Sequence, residues 1–294
     1  MDIAAPFVYT KRSAAGGRVR KGACTMDELI VLGTGNAAVT RCYNTCFALD
    51  LSGELLLCDA GGGNGILAQL EKAGIPWERV RTLILTHAHS DHLLGAVWVL
   101  RMVATSMNAG KHQGQLHIYC DSTVKEGLCH MAYVTLQKKM TDHIGSRILF
   151  HDVTDGGHEI LCGREVTFFD IRSAKLKQFG FNLPLSHGGR LCCLGDEPYN
   201  PACESYVRGA SWLLCEAFCL YGDRERFKPY EKHHSTVKDA CELAQSLEVP
   251  HLVLWHTEDK RLADRKRLYT QEGSAYYTGD LHVPDDLERI PLAQ

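Results

Sequence analysis

Between positions 83 and 92 the chain reads Leu-Ile-Leu-Thr-His-Ala-His-Ser-Asp-His, so three histidines and an aspartate fall within the six residues from His87 to His92. Neutral imidazole and carboxylate are the donors that hold zinc-like cations, and surface or capping roles do not call for this density. In an extended segment side chains two apart point the same way, so His87 and His89 share a direction. At the turn into a helix, Asp91 and His92 can face a neighbouring second position. One tight loop could therefore serve two ions, and such a pair, about 3.5–4 Å apart, can hold and deprotonate a water between them. Metal-assisted hydrolysis is the chemistry that this spacing suggests.

The loop needs a strand before it and a helix after it, and both are legible. An apolar strand is predicted at 82–85 and an apolar helix at about 91–107. Strands at 29–32, 45–51 and 55–58, punctuated by Gly33, Gly35, Ser52/Gly53 and Gly61–Gly63, make the opening β-rich. A helix at 66–73 precedes the motif; a strand at 116–120 and a helix at about 122–138 follow it. Short strands are predicted at 148–150, 166–171, 179–185 and 191–194, the last two joined by the His187-Gly-Gly turn. A strand at 212–215, a helix at about 235–247, a strand at 252–255 and a closing helix after Thr257 restore the alternation. Within the 235–247 helix, Val237, Ala240, Cys241 and Ala244 recur at i, i+3, i+4, i+7, with Thr236 and Asp239 as a cap-like pair. With no internal repeat or linker after residue 25, residues 26–294 read as one layered α/β domain.

Composition narrows the function classes. A 294-residue chain with 45% hydrophobic and 23% charged residues has ample material for a core, which excludes disordered and low-complexity classes. A formal charge of −3 gives no global attraction to polyanions or membrane surfaces, so a small-molecule partner is the default. The longest apolar run, 93–100, covers eight residues, far short of the roughly 18–20 of a bilayer span, so no membrane is expected. Thirteen scattered cysteines, an odd number in no zinc-finger or thioredoxin spacing, read as reduced thiols of a cytoplasmic protein. Residues 1–25 stand apart: Lys11, Arg12, Arg18, Arg20 and Lys21 oppose only Asp2, whereas 26–294 carries 27 basic and 34 acidic side chains. That segment lacks a signal peptide's apolar stretch and is expected to be a disordered basic extension, with Met26 an alternative start. Gly33-x-Gly35-x-x-Ala38 superficially fits a dinucleotide fingerprint, but a β-rich segment follows where a helix should. The glycines are read instead as a turn near the pocket.

His87-x-His89-x-Asp91-His92 resembles the signature of the metallo-β-lactamase superfamily, and the resemblance extends over 27–294. It implies a four-layer αβ/βα sandwich carrying metal at the sheet edges. Asp59, in Leu57-Cys58-Asp59-Ala60-Gly61-Gly62, resembles the aspartate that supports the metal loop from behind. Asp196, after a strand, resembles the bridging carboxylate, and His256, after the 252–255 strand, resembles the last histidine ligand. The implied ligands are His87, His89 and Asp196 for a first ion and Asp91, His92, Asp196 and His256 for a second. A third histidine belongs to the first position, and Arg172, in Asp170-Ile171-Arg172-Ser173, sits where it is expected. A permanently protonated guanidinium repels a cation, so the first position would be empty, weakened or completed by another residue, His187 being the nearest. Arg172 could alternatively clamp a substrate anion.

Glu216-Ala217-Phe218 and His234-Ser235-Thr236 are similar to elements of ribonuclease Z-like phosphodiesterases, which implies that His234 protonates a leaving oxygen while Glu216 fixes its tautomer. His233, its neighbour, is assigned to substrate. Only 23 residues separate Arg172 from Asp196, too few for the substrate arm of transfer-RNA-processing relatives, so transfer RNA is disfavoured. The resemblance thus implies a hydrolase in which Asp91 orients a metal-bound hydroxide against a small phosphodiester or nucleotide-like substrate. A thioesterase or lactonase of the same fold, or a degenerate anion-binding protein, are the alternatives. Zinc, as one or two ions, is the implied cofactor, with manganese or iron also suited to these donors, and a homodimer is compatible with the chain.

Overall fold

The computed structural model describes residues 26–293; the expected extension over 1–25 lies outside the described residues. Strands β1 (Glu28–Gly33), β2 (Cys46–Leu51) and β3 (Glu54–Cys58) form an antiparallel meander. After helix α1 (Gly65–Lys72) the chain changes to parallel crossovers. These run through β4 (Thr82–Ile84), α2 (Ser90–Asn108), β5 (Leu116–Cys120), α3 (Ser122–Thr135), α4 (Lys138–Thr141) and β6 (Ile148–Asp152). A second sheet begins with antiparallel β7 (His158–Leu161), β8 (Arg164–Asp170), β9 (Phe179–Pro184) and β10 (Arg190–Cys193). It continues in parallel through α5 (Glu204–Val207), β11 (Trp212–Glu216), α6 (Arg224–Phe227), α7 (Val237–Ser246), β12 (His251–Trp255), α8 (Arg265–Gly273) and β13 (Asp280–His282). The last strand, β14 (Arg289–Pro291), returns to pair with β1. The two sheets read β14-β1-β2-β3-β4-β5-β6 and β13-β12-β11-β10-β9-β8-β7.

Side-chain alternation explains the layering. Along β1, Leu29 and Val31 enter the core between the sheets, whereas Ile30 and Leu32 join the core under α1 and α2. A strand buried on both faces reads as a continuous apolar run, and 29–32 is one. On the second sheet Leu214 and Val253 face inward while Leu213, Leu252 and Leu254 pack against α7 and α8. The result is the expected four-layer αβ/βα sandwich. Thr236 and Asp239 form the reciprocal capping box at the start of α7.

Three strands were not anticipated: β7, β13 and β14 are three- or four-residue edge pieces with polar residues. The helix expected over 122–138 breaks after Thr135 and resumes at Lys138. No described helix is long and apolar enough to cross a membrane, and the twelve described cysteines are free thiols.

The fold gathers chemistry at one edge. Asp59 follows β3, the 87–92 loop follows β4, Asp196 follows β10, Glu216 ends β11 and His256 follows β12, all at carboxyl ends of strands. Asp59 and His256 take left-handed backbone angles, φ 55° and 54°, the kind of strain retained where geometry matters.

Candidate metal centre

Asp59 organises the loop from behind. Its carboxylate accepts from the Thr86 amide (2.9 Å) and hydroxyl (2.8 Å) and from His92 Nδ1 (2.7 Å). That bond turns His92 Nε2 forward, where it is buried without a hydrogen-bond partner. A buried ligand nitrogen held this way by a carboxylate is the usual preparation for a metal.

Four donors converge in front of it. Asp91 Oδ2 stands 3.5 Å from His92 Nε2 and 3.4 Å from His256 Nε2, and Asp196 Oδ2 stands 3.4 Å from each of the same nitrogens. Donors about 2.0–2.1 Å from a tetrahedral zinc are separated by roughly 3.3–3.4 Å, so these contacts have the length of that tetrahedron's edges. The chain's residues therefore fit an ion at this position. Trp255 Nε1 donates to Gly195 O (3.2 Å), tying the Asp196 loop to the strand that carries His256.

The charge pattern agrees. Burial disfavours ionisation of Asp91, but His256 and His92 outweigh it and hold the carboxyl well below the usual range. Asp196 is likewise buried yet held low by His87, His92 and His256. Burial opposes charge on His92, but Asp59, Asp196 and Asp91 together raise its pKa well above the ordinary value. This concentration of acceptors around one imidazole is what a cation would relieve.

The first position differs. His87 Nε2 is 3.5 Å from Asp196 Oδ1, but only 2.8 Å from His89 Nδ1, so the two imidazoles hydrogen-bond each other. Burial keeps the His87 ring neutral against the pull of Asp196. The residue beside them is not Arg172. Gln178, fully buried, places its amide nitrogen 2.8 Å from His87 Nδ1 and 2.5 Å from Asp196 Oδ1.

Arg172 points away: its guanidinium is half exposed and pairs with Asp155 at 2.5 Å, and its backbone is left-handed, φ 63°. The expectation that it occupies the third-ligand position or clamps an anion over the metal is corrected by that pairing. Sequence spacing failed because the hydroxyl of Ser173 accepts from the amides of Lys175 and Leu176, coiling the loop so that Gln178 arrives where a straight strand would carry its last residue. His187 is also elsewhere, in the β9–β10 turn, bonded to the Leu292 carbonyl.

A cavity of about 410 Å³ opens beside the donors, lined by His89, Asp91, Asp196, His234 and His256 together with Asn36, Phe218, Lys175 and Lys232. The turn after Gly35 thus does border the pocket. His234 stacks on Phe218 (5.0 Å, 5° between planes), and its Nδ1 lies 3.6 Å from Glu216 Oε2. Glu216 is fully buried and its other oxygen accepts from the Ser235 amide and hydroxyl, so β11 and the 234–236 segment are fixed together. His233 is exposed, on a left-handed residue (φ 54°), and does not line the cavity. Lys232, whose Nζ sits 5.1 Å over the Phe218 ring, and Lys175, 3.9 Å from Glu197, line the cavity in its place. Neither lysine nor Gln178 was singled out from sequence; for Lys232 the signal available was its place beside His233 and His234.

Comparison with known proteins agrees with this geometry. Residues 55–257 match the family model described as a beta-lactamase superfamily domain. The chain is 27% identical over 312 residues to the ribonuclease Z of Pyrococcus abyssi, covering 90% of this chain and 96% of that one. Human tRNase Z, short form, superposes with a TM-score of 0.70 at 19% identity, covering 91% of this chain and 100% of the human one. A diphosphatase of the PhnP family gives 0.67 at 18% identity over 90% and 97%. On the matched family model and the shared architecture, this chain belongs to the β-lactamase superfamily and is a hydrolase of the metallo-β-lactamase fold.

Proposed function

We propose that the protein is a zinc-type phosphodiesterase that works with one tightly held ion, in the Asp91, His92, Asp196, His256 position, on a small anionic phosphodiester. The observation that carries the reading is the set of four donors spaced as tetrahedral edges, opening on a cavity whose rim bears two lysines. A divalent ion bound there would polarise a phosphoryl oxygen and bring the pKa of a coordinated water toward neutrality. The protein's own residues do the rest. Lys175 and Lys232 draw the phosphate into the cavity, and Asp91 orients the attacking water. His234 keeps a proton on the ring nitrogen that faces the cavity and delivers it to the departing oxygen. Glu216, 3.6 Å from the other nitrogen, stabilises the imidazolium before transfer.

A second reading, processing of transfer RNA, draws on relatives named ribonuclease Z. Two observations favour a smaller substrate. Between β8 and Asp196 the chain forms only a short loop and the β9–β10 hairpin, leaving no extended arm. The alignment with the Pyrococcus protein runs over 312 positions against 294 in this chain, so that relative carries segments this chain lacks.

The test is a substrate panel with zinc-loaded protein: bis-para-nitrophenyl phosphate, a 2′,3′-cyclic nucleotide, a thioester, a lactone and a precursor transfer RNA. Cleavage of the first two, lost in Asp91→Ala, is expected. Preference for the thioester or lactone, cleavage of the RNA precursor alone, or indifference to Asp91→Ala contradicts the proposal.

A further inference from the structure

At the opposite end of the second sheet, three potential ligands from two neighbouring strands meet on one face. His251 opens β12 and lies in register with Asp280 of β13, while His282 follows Asp280 by two residues and so shares its face. Asp280 Oδ2 is 3.2 Å from His251 Nδ1 and 2.8 Å from His282 Nε2. All three donor atoms fall within 4.8 Å of one another. The two imidazoles are mostly buried, with side-chain exposures of 17% and 24%, while the carboxylate is open to solvent at 56%.

Trp212, in register with His251 from the other side, builds the wall of this site. Its ring stacks on His251 at 4.2 Å with planes 9° apart and lies 5.1 Å from His282. Its indole nitrogen is engaged by the Ala293 carbonyl at 2.9 Å, so the wall is itself anchored. Two imidazoles oriented by an aromatic surface, sharing a solvent-facing carboxylate oxygen, offer three protein ligands with room for water to complete the shell. That donor set suits a borderline divalent ion such as zinc better than calcium or magnesium, which prefer all-oxygen shells.

We propose that His251, Asp280 and His282 form a second, separate zinc-binding site that clips the edge strand β13 to β12. It is independent of the hydrolytic centre, which lies about 16 Å away along β12, five residues at ~3.3 Å each. Its need is clear from the strand: β13 has three residues and a single neighbour in the sheet.

The test is equilibrium dialysis of the full chain against a fixed excess of Zn²⁺ alone, comparing wild type with Asp280→Asn/His282→Ala and with the single variant His282→Gln, which keeps side-chain bulk at the surface. Loss of about one equivalent of zinc in both variants is expected, with hydrolysis rates unchanged and part of the zinc-dependent rise in melting temperature removed. Equal zinc content in wild type and a folded His282→Gln variant would overturn the proposal and leave a hydrogen-bonded triad. Loss of hydrolysis together with the zinc would overturn its separateness from the hydrolytic centre.

Discussion

At the scale of single residues, Gln178 stands at the first metal position, beside His87 and Asp196. Its amide bonds both His87 and Asp196, and His87 is hydrogen-bonded to His89, while the donor atoms of His87, His89 and Asp196 lie within 4.8 Å of one another. Gln178→His should raise retained metal by about one equivalent, checked by elemental analysis after dialysis, whereas Arg172→His should leave it unchanged because Arg172 faces Asp155. His234 makes a different prediction. If it protonates the departing oxygen, His234→Ala should cost on the order of 10²–10⁴ in kcat for a 2′,3′-cyclic nucleotide with its alkoxide leaving group, and far less for a nitrophenyl ester. Equal losses on both would show that the residue acts by another route. The lysines are rim charges: Lys175→Ala and Lys232→Ala should raise KM severalfold with kcat little changed, and the effect should shrink as ionic strength rises.

At the scale of elements, the donors come from loops that strand ends hold in place, and the sheets are joined far from those loops by Asp27. This buried carboxylate, just before β1, takes a bidentate bond from Arg164 at the start of β8 and another from the Ser186 amide. Burial pushes the Asp27 carboxyl up, but Arg164 and Ser186 outweigh it and leave it below the usual value. A depressed carboxyl contributes stability above its unfolded-state pKa, near 4, and loses it as pH falls through the lower folded value. Asp27→Asn should therefore destabilise the protein by about 3 kcal/mol at pH 7, and the gap to wild type should close below pH 4 in denaturant titrations. A gap constant with pH would contradict the ionic origin.

Elements also show what sequence can carry. The 87–92 loop was legible because its candidate donors are local, and the α7 cap because Thr236 and Asp239 are three apart. Strands such as 29–32 announced themselves by apolar runs buried on both sides. By contrast β14 pairs with a strand about 260 residues earlier, Glu28 against Pro291, and β13 carries Asp280 and His282 where alternation should place apolar residues. Arg172 was misplaced for a related reason, since counting along the chain cannot see the Ser173 turn that delivers Gln178 instead.

At the scale of the whole molecule, the candidate metal centre is a junction between halves. Asp91 and His92 belong to the first sheet's side, Asp196 and His256 to the second's. An ion gripping all four binds only the folded chain, so it should add about 4 kcal/mol at a thousandfold excess over its Kd. For a chain of this size that corresponds to a melting temperature higher by roughly 7 °C, reversed by a chelator. The most direct trial of the account is the metal content of wild-type protein against Asp196→Asn and His256→Ala, measured by elemental analysis alongside hydrolysis of bis-para-nitrophenyl phosphate. The account predicts that each variant retains about one equivalent fewer than wild type and hydrolyses no substrate. Undiminished metal in either variant, or a wild type that holds none at that position and still turns over, would contradict it.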